Sequence, residues 1–95
     1  MEYIELRRRA DDIAREVTHQ LRNAPSSNVA PVDPADFREM VWAGEAKLGT
    51  ETLCEQLEEN DLALPGELIR KIKEFGKDVG ADKSYLNRMP VKSVE

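Results

Sequence analysis

The chain has 95 residues, 40% of them hydrophobic and 35% charged, with a formal net charge of -5. A chain of that length forms one domain burying about 60 to 65% of the surface its unfolded form exposes, and its content of Leu, Ile and Val excludes disorder throughout. The longest apolar run, Met40 to Ala43, excludes a membrane span, the charged start Met1-Glu2-Tyr3-Ile4-Glu5 is unlike a signal peptide, and the single Cys54 can form no internal disulfide, so the expected location is cytoplasmic.

From Glu2 to Asn23, Leu6, Ala10, Ile13, Val17 and Leu21 recur at four and three residue steps, the stripe of an amphipathic helix. Glu5, Asp11 and Asp12 precede arginines by three or four positions, which predicts a salt-bridged solvent face. Residues 24–33 form a loop rich in Pro and Ser, expected to leave helix 1 partly independent of the rest. Asp33-Pro34-Ala35-Asp36 is a helix start: Asp33 caps, Pro34 suits the first position and Asp36 adds negative charge to the first turn.

That second helix should run to about Ala43 with Phe37, Met40 and Val41 inward, and Gly44 and Gly49 mark a break after it. A third helix, starting at Glu45 or Thr50 and ending near Asn60, turns Leu53, Cys54 and Leu57 inward and lines up Glu51, Glu55 and Glu58 outward. After a short extended connection, Pro65-Gly66-Glu67 opens a fourth helix with Leu68, Ile69, Ile72, Phe75 and Val79 at helical spacing, a solvated charged face and Gly80 at its end. Asp82 to Leu86 make a last turn, with Tyr85 and Leu86 closing the core. The expected fold is all-α, a single domain over residues 1–95: a small bundle of about four helices with a short C-terminal turn, a helical core over 34–90 and a flexible tail over 91–95.

Candidate chemistry is sparse. His19 falls off the apolar stripe and is expected at the surface, and Cys54 is expected to act as a small buried hydrophobe. Gly76-Lys77 lacks the upstream glycine and the hydroxyl residue of a phosphate loop, and the carboxylates of helix 3 have no second ligand type beside them. No enzyme activity, cofactor, metal or small-molecule ligand is expected. Arg7, Arg8 and Arg9 point in different directions on a helix, in a segment whose charges balance, so nucleic-acid binding is not expected either.

The charge distribution is more informative. Residues 33–61 hold nine acids against only Arg38 and Lys47, a field that favours a basic partner and repels nucleic acid and anionic membranes. Trp42 beside this stretch is expected in the core, although a half-buried tryptophan at a charged rim can anchor an interface.

Ala43-Gly44-Glu45, then Leu48 through Asp61 with its Leu53-Cys54-Glu55-Gln56-Leu57 segment, then Leu68, Ile69, Ile72 and a glycine-terminated helix, resemble small bacterial immunity proteins of polymorphic toxin systems, of the Maf and contact-dependent-inhibition kind. The similar pattern covers about 40% of the chain and departs at Gly49-Thr50, where such sequences favour strong helix formers, and at Glu58, where an aromatic is common. The resemblance implies an immunity protein that binds a cognate toxin domain, expected to be basic, in a 1:1 complex and neutralises it by occlusion. Glu51, Glu55 and Glu58 would make the contact line, Glu45, Glu59 and Asp61 its border, and Trp42 an apolar anchor. The alternative is a small regulatory or adaptor helical domain, dimeric or associated with nucleic acid through the arginines of helix 1.

Overall fold

The computed structural model describes residues 3–23 and 32–93, and all of its regular elements are helices. They are α1 (Tyr3–Arg22), α2 (Pro34–Trp42), α3 (Ala46–Glu59), α4 (Gly66–Val79) and the one-turn α5 (Lys83–Leu86). The expected all-α bundle of four helices with a short C-terminal turn is thereby found. The Pro/Ser-rich loop falls mostly on residues 24–31, outside the described residues.

Helix boundaries follow local chemistry. The Asp33 side chain accepts a hydrogen bond from the Asp36 N–H at 3.0 Å, and Pro34, with no N–H to satisfy, occupies the first helical position. Gly44, at φ +89°, ends α2, and the Glu45 N–H closes the turn on the Met40 carbonyl at 2.8 Å. Gly80, at φ +82°, ends α4 in the same way, with the Ala81 N–H bonded to the Gly76 carbonyl. The end of α3 uses Asp61 at φ +49°, a left-handed conformation that Asp tolerates better than most residues.

The break between helices 2 and 3 comes at Gly44 alone. Gly49 and Thr50, read as one possible start of helix 3, lie inside α3 and are buried. A Cβ at Gly49 would lie 3.0 Å from the Cβ of Met40, so the glycine sets the close approach of α3 to α2. The buried Thr50 hydroxyl is satisfied within the helix by donating to the Ala46 carbonyl at 2.8 Å.

One core joins the elements. Phe37 of α2 and Phe75 of α4 meet edge to face with centroids 5.8 Å apart, surrounded by Val41, Leu53, Leu57 and Ile72. Ala10, Ile13 and Val17 of α1 belong to the same cluster, so helix 1 is not the partly independent element that its tether suggested. It packs on α2 and α4, while α3 packs on α2, α4 and α5. Charges reinforce the docking of α1: Arg9 pairs with Asp78 at 2.8 Å, and the Lys71 ammonium contacts Asp12 and Glu16 at 3.1 and 2.5 Å. Val91 and Lys92, expected in a flexible tail, are also held, since the Lys92 N–H bonds to the Leu64 carbonyl at 2.9 Å and the Leu64 N–H to the Pro90 carbonyl at 3.3 Å.

Candidate functional site

The sequence-predicted carboxylates separate into two groups once α5 is in place. Glu51 turns toward α5, where its Oε2 accepts the Asp82 N–H at 2.8 Å, the service that a third-position glutamate gives in a capping box, here supplied by another helix. Glu58 turns the same way and pairs with Arg88 at 3.3 Å. Two of the three residues expected to line up outward therefore hold the C-terminal segment. Among the described residues Glu45, Glu55, Glu59 and Asp61 make no ion pair, and all four are exposed.

The solvent face of α3 is thus rotated from the predicted one. Leu48, Thr52, Glu55 and Glu59 succeed one another at four and three residue steps, with Glu45 just before the first turn. Leu48 is 51% exposed at the N-terminal end of this face, between Glu45 and Thr52. The sequence signal was present, since Leu48 stands seven residues before Glu55 in the same phase. The reading that grouped Glu51, Glu55 and Glu58 passed over it.

Trp42 is not in the core. It is 37% exposed, and the guanidinium carbons of Arg7 and Arg38 lie 4.4 and 4.7 Å from its ring. Its indole N–H donates to Asp11 at 2.9 Å, the same carboxylate oxygen that pairs with Arg38 at 2.8 Å. The Trp42 carbonyl accepts from the Tyr3 hydroxyl and from Arg7. A tryptophan ring is large enough to be stabilised by cation stacking and one hydrogen bond at a surface, which is why an apolar reading of it failed. These contacts tie Trp42 to α1, whereas Glu51 and Glu58 face α5, so the structure does not bring the proposed anchor together with those two carboxylates.

Of the arginines of α1, Arg8 and Arg22 are exposed and make no ion pair among the described residues, while Arg15 pairs with Asp12, Arg7 stacks on Tyr3 and Trp42, and Arg9 pairs with Asp78. His19 is exposed as expected and lies 3.2 Å from the Asn23 side-chain nitrogen. Cys54 is buried as expected, and burial, with the Glu51 charge as a smaller cause, pushes its thiol up to about 12, so it carries no thiolate at neutral pH. The Lys71 hydrogen bond holds the Asp12 carboxyl below its ordinary range, and its bonds to Glu16 and Asp12 raise the Lys71 ammonium above its own. Asp82 is also lowered, chiefly by the Ser84 N–H.

No group of three or more His, Cys, Asp or Glu residues that could hold a metal ion occurs among the described residues, and no described helix is long and apolar enough to cross a membrane. The outer face of α3 presents a half-exposed leucine alongside unpaired carboxylates. Comparison with family models, curated proteins and solved structures finds no match to this chain.

Proposed function

We propose that the chain is a binding protein that neutralises a basic toxin domain by covering its active surface with the outer face of α3. One observation carries this reading: Leu48, 51% exposed, stands among Glu45, Glu55 and Glu59, which have no ion-pair partner among the described residues. Unpaired carboxylates steer a basic partner and raise its association rate, while an apolar side chain that becomes desolvated slows dissociation. The packing of α3 against α2, α4 and α5 supports the same reading, because a preorganised face loses little entropy on binding. The sequence resemblance to immunity proteins points to a toxin as the partner.

The test is recovery of the tagged protein from its native cell at moderate salt, with identification of what remains bound. The expected result is one stoichiometric basic polypeptide whose expression without this chain arrests growth. Replacing Glu45, Glu55 and Glu59 together by Gln should weaken that complex by on the order of tenfold and flatten its salt dependence. Recovery of nucleic acid with no second polypeptide would overturn the proposal.

A further inference from the structure

The face of α4 read from sequence as a balanced, solvated surface is not balanced. Lys71 is drawn to α1, and Arg70 pairs with Glu74 at 3.4 Å. Lys73, Lys77 and Lys83 make no ion pair among the described residues. These three and Arg70 line, with Glu74, Leu86 and Asn87, an open groove of about 400 Å³ beside α4 and α5. Gly76 makes this geometry possible: a Cβ there would come within 2.6 Å of the Leu86 side chain, so only glycine lets α5 sit this close to α4. In a chain of net charge -5, a groove with four cations and one carboxylate is a local reversal of sign.

A short acidic helix face fits such a groove better than a nucleic acid does. No aromatic residue lines it for bases to stack upon. The chain itself carries the complementary charge. On α3 exposed Leu48 lies between Glu45 and Glu55, with Glu59 beyond; on α4 and α5 a groove lined by four cations includes part of Leu86.

We propose that the α4/α5 groove receives the α3 face of a second copy, giving a weak head-to-tail association held by Leu48 and by carboxylate–ammonium pairs. The two patches are different surfaces, so the contact is heterologous and leaves each pair with one free α3 face and one free groove. Growth beyond a dimer follows. This inference rests on the α3 face assigned above but not on the identity of a toxin. Because a partner bound to α3 would occupy the same face, the assembly would be a storage form that the partner dissolves.

The experiment is sedimentation velocity of the full chain over a concentration series, at about 20 mM and about 500 mM NaCl. The expected result is a mass that rises with concentration beyond twice 10.8 kDa at low salt and returns to the monomer at high salt. A groove variant (Lys73→Gln, Lys77→Gln, Lys83→Gln) and a face variant (Glu45→Gln, Glu55→Gln, Glu59→Gln) should each be monomeric alone. Mixed, they keep one intact junction and should stop at the dimer. A wild-type chain that is monomeric throughout, that stops at a dimer, or that assembles only with nucleic acid present would overturn the proposal. The groove variant should still bind the basic polypeptide of the toxin reading, so failure of the assembly and failure of that reading are told apart.

Discussion

The outer edge of α1 and the outer face of α3 carry similar densities of charge and use them in opposite ways. On α1, Arg7, Arg9, Asp11, Asp12 and Glu16 all end in partners on α2 or α4. On α3, Glu55 and Glu59 end in solvent, while Glu51 and Glu58, on the adjoining side of the helix, engage Asp82 and Arg88 at the two ends of α5. Charge counted along a sequence does not say which groups are free. Pairing across helices decides that: it engages the α1 charges that face α2 and α4 and leaves those on the outer face of α3 open.

The contrast can be broken most severely beneath α1. Ile13→Ala should cost about 2 to 5 kcal/mol by opening a cavity under the helix, read by denaturation with the single Trp42 as fluorophore, because its stacking on Arg7 reports the docking of α1. Binding at α3 should be unchanged in the folded fraction. Next in size, Glu51→Ala should cost ~1 kcal/mol, the ordinary loss of a cap, with faster amide exchange confined to residues near Asp82.

A smaller effect belongs to the Lys71 bridge. Asp12 has a lowered pKa in the folded state, so its contribution is present above the ordinary carboxylate range and is lost as pH falls through the folded value. Lys71 is raised, so its contribution is complete below the ordinary lysine value and is lost only as pH rises through the folded one. Asp12→Asn should therefore flatten the acid side of a plot of thermal midpoint against pH and leave a weaker alkaline limb. The smallest expected change in stability comes from Glu55→Gln with Glu59→Gln: within about 0.5 kcal/mol in either direction, even as partner binding falls. A large loss there would mean that those carboxylates are structural after all.

Much of the fold was legible because the signals were local. Asp33 and Pro34 fix the start of α2, Gly80 fixes the end of α4, and the spacing of Leu53, Cys54 and Leu57 gives the buried side of α3. Gly49 was misleading for a tertiary reason: its poor helix propensity is outweighed by the contact it permits with Met40. The candidate site was less legible. Engaging Glu51 and Glu58 with the C-terminal segment depends on where a four-residue helix docks, and recognising Trp42 as a surface residue depends on Asp11, 31 residues earlier. Neither dependence has a period or a motif to reveal it.

The cross-helix pairs of α1 also set an order of events during synthesis. Arg9 and its partner Asp78 are 69 residues apart, and Asp12 and Lys71 are 59 apart, whereas α2 and α3 are neighbours in the chain. Because α1 precedes both of its partners, its docking is completed only once α4 has been made, although the Asp11 pairs with Arg38 and Trp42 need only α2. Until then Ala10, Ile13 and Val17 are an incompletely covered apolar stripe, and α1 waits on α2 for the helix that closes its other side.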